Sequence, residues 1–83
     1  MLTLKIVTPN ELFFEGPIQH VRVPGAAGSF GVLQNHAPLV TPIVKGELVY
    51  RDDSGKSAAV RVDGGFFEVS KNRALVLTDK VGT

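Results

Sequence analysis

The chain has 83 residues, and its nine Lys and Arg against eight Asp and Glu leave a formal net charge of +1. A chain of this length builds one modest core, and its scattered basic residues exclude the basic stripe typical of nucleic-acid binding. The lack of Cys excludes disulfides and thiolate metal sites, and no apolar run approaches the roughly 18 residues that span a bilayer. We therefore expect a soluble, non-secreted chain with a single domain over residues 1–83.

Glycine and proline punctuation leaves little room for helices. Nine Gly and five Pro are spread so evenly that only residues 66–81 form a run of more than eight residues without either. Ordinary helices need roughly 10–14 residues. The longer run is itself divided by a polar cluster at residues 70–73, which is typical of a turn. The chain is therefore expected to consist of short strands.

Between these breaks, apolar and polar residues alternate with a period of two, the pattern of a strand with one buried face. The alternating sets are Leu2, Leu4 and Ile6, then Val21 and Val23, Leu48 and Tyr50, Val60 and Val62, and last Leu75 and Leu77, which alternate with Ala74, Val76 and Thr78. Residues 52–56 form a hairpin turn in which Gly55 supplies a positive φ. Phe67 shares a face with Val69 and is expected in the core, whereas Phe66 is the better candidate for a partner contact. The pattern predicts an all-β sandwich or barrel.

Ser29 and His36 are candidates for a catalytic nucleophile and base. A nucleophile elbow needs G-x-S-x-G, and Ala27 stands where the first glycine is required. An acid that orients the imidazole would have to arrive through the fold, because none lies between residues 30 and 44. We therefore expect Ser29 to lie in a turn and His36 to bond the backbone.

Metal and phosphate sites are no better supported. His20 and His36 lie far apart in sequence and form no H-x₃₋₅-H pair. The glycines from Gly25 onward follow G-x-x-G-x-x-G, and Pro38 and Pro42 come where a phosphate-binding loop would need a helix N-terminus. No metal or cofactor is expected.

Eight segments in order resemble the epsilon subunit of the rotary F-type ATP synthase, which is called delta in mitochondria. They are residues 2–9, 11–16, 21–25, 28–33, 35–41, 43–46, 62–69 and 75–79. The match covers essentially all 83 residues, and the combination of G-x-F-G with two hydrophobic residues, H-A-P-L and G-G-F-x-E-V in this order is specific. The resemblance implies a flattened β-sandwich of about ten strands. It also implies a non-catalytic rotor subunit of the central stalk, which couples proton flow to ATP synthesis.

The resemblance implies two partners, the gamma subunit and the c-ring. The segment from Gly25 to Leu33 and the following H-A-P-L would face the ring, and Ala26, Ala27 and Ser29 stand where some relatives carry acids. Backbone and apolar contacts are therefore expected there. The ring candidates are Gly28, Ser29, Phe30, Gly31, His36 and Pro38, and the gamma candidates are Thr8, Glu47, Leu48 and Phe66.

The implied location is peripheral, on the cytoplasmic face of a bacterial inner membrane or the equivalent organellar face, with membrane contact only through the complex. Two other classes of function stay open. One is a stand-alone β-sandwich that binds a small ligand through the segment from Gly25 to Leu33. The other is a small hydrolase that uses Ser29 and His36.

Many family members continue into a C-terminal helical hairpin that binds ATP, and no such hairpin is expected within these 83 residues. Millimolar ATP should therefore leave the melting temperature of the chain unchanged. Differential scanning fluorimetry with and without ATP measures this. A clear rise in melting temperature with ATP would contradict the expectation.

Overall fold

The computed structural model describes residues 1–82 and contains strands but no helix within them. The strands are β1 (Leu2–Val7), β2 (Leu12–Gly25), β3 (Gly28–Leu33), β4 (Leu39–Asp52), β5 (Ser57–Ser70), β6 (Arg73–Leu77) and β7 (Val81–Gly82). The all-β prediction is confirmed. The strand count is seven where about ten were expected.

Three long strands account for that difference. β2, β4 and β5 have 14 residues each, and each bends so that its two halves pair in different sheets. The β6 sheet has the order β2 (first half), β1, β6, β5 (second half), β4 (first half). The β3 sheet has the order β3, β2 (second half), β4 (second half), β5 (first half), β7. Strands that switch sheets in this way form the corners of a closed sandwich.

The corner in β5 is made by two glycines. Gly64 and Gly65 have φ values of 78° and 120°, a region that favours glycine over residues with a Cβ. A Cβ on Gly65 would overlap the carbonyl oxygen of Leu77 and lie 2.9 Å from its carbonyl carbon. The glycine pair therefore bends the strand and also lets β5 approach the end of β6.

The core lies between the inner faces of the two sheets. Its fully buried side chains include Phe67, Leu2, Leu4, Ile6, Leu48, Val21, Val23, Val32, Val60, Val69 and Val76, so the predicted alternation is confirmed in β1, β2, β4 and β5. Phe67 is 0% and Phe66 55% exposed, as expected from their faces. In β6 the smaller residues Ala74 and Val76 face inward, because Val76 is the direct cross-strand neighbour of the large Phe67 ring.

The predicted hairpin turn joins β4 and β5. The Asp52 carboxylate accepts hydrogen bonds from the Ser54 hydroxyl at 2.7 Å and from the Ser54 and Lys56 N–H groups at 2.9 Å and 3.0 Å. The bonds from Ser54 and Lys56 lower the pKa of Asp52 below its usual value. Gly55 takes the expected positive φ of 92°.

Tyr50 lies on β4, just before this turn. Burial raises the pKa of its hydroxyl, and its ring packs on the Phe14 ring with centroids 4.4 Å apart.

Replacing Gly65 with Ala should destabilise the chain by about 3 kcal/mol, because the new methyl group meets backbone atoms and the φ is strained. Gly55→Ala is the matched control, since Gly55 also has a positive φ but nothing lies within 4 Å of the position that its Cβ would take. It should cost about 1 kcal/mol. Urea unfolding followed by circular dichroism measures both. Equal losses would contradict the close approach of β5 to β6.

Candidate partner-binding surfaces

An exposed row of apolar side chains crosses the outer face of the β6 sheet. The cross-strand register aligns Leu12 with Val7, Val7 with Leu77, Leu77 with Phe66 and Phe66 with Pro42. We call these five residues the apolar row. Leu12, Phe66 and Leu77 are 51%, 55% and 46% exposed. A contiguous apolar patch of this kind on a small domain marks an interaction site.

A groove of about 460 Å³ lies beside the apolar row, lined by Val7, Thr8, Pro9, Gly65, Phe66, Leu77, Thr78 and Asp79. Thr8 forms its rim but is only 8% exposed. The Thr8 hydroxyl oxygen accepts hydrogen bonds from the N–H groups of Asn10 at 3.3 Å and Glu11 at 3.2 Å. Thr8 therefore holds the turn between β1 and β2 in place, and it shapes the groove more than it offers contact area.

A charged row runs parallel to the apolar row on the same face. Lys5 pairs with Glu15 on one side and Leu75 on the other, and Leu75 pairs with Glu68. Lys5, Glu15 and Glu68 are exposed. A second groove of about 660 Å³ lies over this row and also touches Lys71 and Arg73. The apolar row thus has a polar border on one side, as the apolar centre of an interface usually has.

The structure separates the four gamma candidates. Thr8 and Phe66 meet at the same groove, whereas Glu47 is exposed on the outer face of the β3 sheet, paired with Arg61. Leu48 is 0% exposed. The alternation that puts Glu47 outside puts Leu48 in the core, so the Leu48 side chain offers no exposed area to a partner. A single flat contact cannot include both Phe66 and Glu47, since they lie on opposite sheets.

Four of the ring candidates belong to β3. Gly28, Ser29 and Gly31 are exposed, whereas Phe30 is half-buried on the inner face. The Phe30 ring meets Phe67 edge-on, with centroids 5.7 Å apart and planes at 73°. A Cβ on Gly25 would lie 2.8 Å from the Phe30 ring, so the glycine makes room for the aromatic. Phe30 therefore closes one side of the core and exposes only part of its ring.

His36 and Pro38 lie in the connection from β3 to β4. The His36 Nδ1–H donates to the Ala37 carbonyl at 2.6 Å, and the His36 N–H donates to the Leu33 carbonyl at 3.2 Å. Gly28 is at one end of β3, beside Gly25, and Leu33 is at the other, beside His20. The ring candidates therefore extend along the whole strand and the connection after it.

Sequence reasoning missed several exposed apolar residues near the candidates. Leu33 and Val40 flank the connection with His36 and are 63% and 67% exposed. Leu77 was seen only as part of an alternating strand. The sequence does not show that the smaller residues of β6 are the buried ones. Because they are buried, Leu77 faces outward beside Phe66.

An asparagine pair fixes the connection between β3 and β4. Asn35 and Asn72 both have positive φ, 68° and 62°. The Asn35 N–H donates to the Asn72 Oδ1 at 2.6 Å, and the Asn72 Nδ2 donates to the Asn35 Oδ1 at 3.2 Å. The Asn72 carbonyl also accepts the Thr3 N–H at 3.0 Å. Three segments distant in sequence are therefore joined at one point.

The geometry gives no support to the catalytic and ligand-binding alternatives. No hydrogen bond joins Ser29 to His36 in the described part of the chain, and the Nδ1 of His36 is bonded to the Ala37 carbonyl and not to a carboxylate. Residues 1–82 bring together no group of three metal-ligating side chains. They also contain no helix that is long and apolar enough to span a membrane. The two grooves on the β6 sheet and a third of about 320 Å³ have no lining residue between Gly25 and Leu33.

Comparison with known proteins decides the family. The model of the delta/epsilon chain β-sandwich domain of ATP synthase matches residues 1–82. The chain belongs to this family. It is 44% identical to the ATP synthase epsilon chain of Chlorobaculum tepidum over 79 residues, which cover 95% of this chain and 90% of that protein.

Other relatives are longer. The chain is 42% identical to the ATP synthase epsilon chain of an Anaeromyxobacter species over 78 residues, 94% of this chain and 58% of that protein. A chain in the Euglena gracilis mitochondrial ATP synthase superposes with a TM-score of 0.92 at 22% identity, covering 98% of this chain and 52% of that one. The chain therefore spans just over half the length of these two relatives. The likeness to the Euglena chain, at 22% identity, shows the fold alone.

Asn72→Gly should release the connection after β3, because glycine keeps the positive φ but removes the amide that bonds Asn35. We expect hydrogen exchange at the Asn35 amide to accelerate by about tenfold or more, with a loss of stability of about 1 kcal/mol. Lys71→Gly is the matched control, since Lys71 has a positive φ of 52° in the same turn. If both variants leave the Asn35 amide equally protected, the asparagine pair does not hold the connection.

Proposed function

We propose that the chain is a non-catalytic subunit of the central stalk of an F-type ATP synthase, which binds the gamma subunit and the c-ring and turns with them. In this role it couples ion flow to ATP synthesis by holding two other components in fixed geometry. The observation that carries the proposal is the apolar row on a domain whose family is that of the epsilon chains. In that complex the chain would lie at a membrane surface, on the side where the catalytic sector lies.

The apolar row is the proposed gamma-binding surface. Phe66 and Leu77 are direct cross-strand neighbours, and together they offer an aromatic and an aliphatic side chain to one partner. Large apolar side chains at the centre of a contact contribute most of its binding energy. The neighbouring charged row, with Lys5 and Glu68, would lie at the polar rim. Thr8 supports this surface from the turn beside it, whereas Glu47 lies outside it.

The β3 strand and the connection after it are the proposed ring-facing surface. β3 contains no charged residue, so its contacts are expected to come from Ser29, the backbone at Gly28 and Gly31, and the exposed part of Phe30. His36 and Pro38 extend this surface. The asparagine pair keeps the connection rigid, and a preorganised loop loses less conformational entropy on binding.

The two surfaces make different predictions for single substitutions. Phe66→Ser should weaken gamma binding by about tenfold or more, because an exposed aromatic at the centre of an interface is removed. His36→Ala should weaken attachment to the c-ring and change gamma affinity by less than about twofold. Pull-downs with the isolated gamma subunit and with purified c-rings measure the two affinities separately.

Glu47→Ala is the matched control for the gamma surface, since Glu47 is exposed on the other sheet. It should leave gamma binding within about twofold of the unsubstituted chain. A larger loss for Glu47→Ala than for Phe66→Ser would overturn the choice of face. Failure of the folded chain to bind gamma at all, with its circular dichroism intact, would overturn the proposed function.

A further inference from the structure

The strand β3 is an open edge of the β3 sheet, because its one strand partner is β2. Open edges present unpaired backbone groups to other strands, and proteins usually protect them with proline, charge or brevity. β3 has none of these protections: its six residues read GSFGVL. The other edges of the described chain differ from it in this respect.

Each of the other edges is protected. The first half of β2 carries Glu15 and Pro17, and the first half of β4 ends at Pro42 with Pro38 just before it. β7 has two residues. The part of β5 that β7 does not cover runs only over residues 57–60, next to Lys56. β3 is thus the longest uncharged, proline-free edge among residues 1–82.

The hairpin register shows which groups of β3 point outward. A two-residue turn places Gly25 and Gly28 in a hydrogen-bonded pair, and such pairs alternate with non-hydrogen-bonded ones along an antiparallel ladder. The next pair, Pro24 and Ser29, is then a non-hydrogen-bonded one. Proline suits this position because it has no N–H group to donate. The N–H and C=O groups of Ser29 and Gly31 and the N–H of Leu33 therefore point away from β2, to the open edge.

We propose that this edge pairs with the β3 edge of a second copy of the chain, in an antiparallel arrangement centred on Gly31. In that register Gly31 faces Gly31 of the second copy, and Ser29 faces Leu33 of the second copy. On the inner face the half-exposed Phe30 ring lies beside Val32 of the second copy. The strand is therefore complementary to itself: glycine meets glycine at the axis, and apolar side chains meet on the inner face.

Electrostatics permits the pairing. β3 is uncharged, and the nearest cation is Arg22, which pairs with Gly31 from the next strand. Two Arg22 side chains would be three strand spacings apart, roughly 14 Å, beyond the screening length of about 8 Å at physiological ionic strength. Pairing along an edge of six residues buries less surface than the roughly 1,000 Å² that a stable interface needs. The dimer should therefore be weak, with a dissociation constant between roughly 10 μM and 1 mM.

The experiment compares the 83-residue chain at concentrations from about 10 μM to about 1 mM, a range set by the expected affinity. Sedimentation equilibrium should show a mass that rises from one chain toward two. Residue-resolved hydrogen exchange should show the Ser29, Gly31 and Leu33 amides protected only at high concentration, whereas Phe30 and Val32 are protected throughout. A constant monomer mass with unprotected edge amides would overturn the proposal, and so would protection elsewhere on the surface.

Gly31→Lys tests the axis directly. A Cβ at Gly31 meets only the Val21 carbonyl oxygen at 4.0 Å, so the monomer should tolerate the side chain. The dimer would bring two lysines face to face, which should weaken association by about tenfold or more. Ala59→Lys adds the same charge at an exposed position of β5 on the outer face of the same sheet and should change association by less than about twofold. Equal effects would overturn the proposed axis.

The inference concerns the free chain, because β3 is also the proposed ring-facing surface and one strand edge cannot pair with a second copy while it contacts the ring. The proposed gamma surface lies on the other sheet and is not involved. Loss of self-association in Gly31→Lys with intact gamma binding would support the edge. Because Gly31 is also a ring candidate, this variant is used only for self-association and gamma binding, and not to test ring attachment. Loss of gamma binding in Phe66→Ser with unchanged self-association tests the rotor role alone.

Discussion

The structure depends on one geometric constraint: a chain of 83 residues must close two sheets over one core. It does so by bending three strands of 14 residues, so that each contributes to both sheets. The bend in β5 requires Gly64 and Gly65, and no side chain fits at Gly65 because the backbone of Leu77 occupies the space. The corners therefore tie the sheets covalently, and the sandwich does not depend on side-chain packing alone to stay closed.

The closing of the two sheets over one core also determines which side chains lie on the surface. Because Phe67 and Val76 meet in the core, their neighbours Phe66 and Leu77 must face out together on adjacent strands. The packing of the core thus determines which apolar side chains form the apolar row on the outer face. The same period of two that buries Ala74 and Val76 in β6 turns Arg73, Leu75 and Leu77 to the outer face, so two of the three outward side chains are apolar. Exposed apolar side chains grouped in this way mark an interaction surface.

The fold class was predictable because glycine and proline leave no room for helices and the apolar residues alternate over most segments. The number of strands was not, since nothing in the alternation tells a continuous bent strand from two short ones. The exposure of Phe66 was predictable because Phe67 shares the buried face with Val69. The exposure of Leu77 was not predicted. β6 has only five residues and carries apolar side chains on both faces, so the sequence does not show which face is buried until the neighbouring strands are known. Leu48 was placed both in a buried alternating set and among the gamma candidates, and its burial agrees with the first placement.

The two proposed partner surfaces are connected through a few aromatic side chains. Phe66 faces outward in the apolar row, and the next residue, Phe67, faces inward and meets the Phe30 ring of β3 edge-on. A load applied at the apolar row therefore reaches β3 through one peptide unit and one aromatic contact, inside a core that is close-packed and resists compression. The asparagine pair adds a second connection, from the turn between β5 and β6 to the segment after β3. The proposed rotor role, in which the chain holds two partners in fixed geometry, requires this stiffness and is consistent with glycines at the corners and aromatic side chains at the contacts.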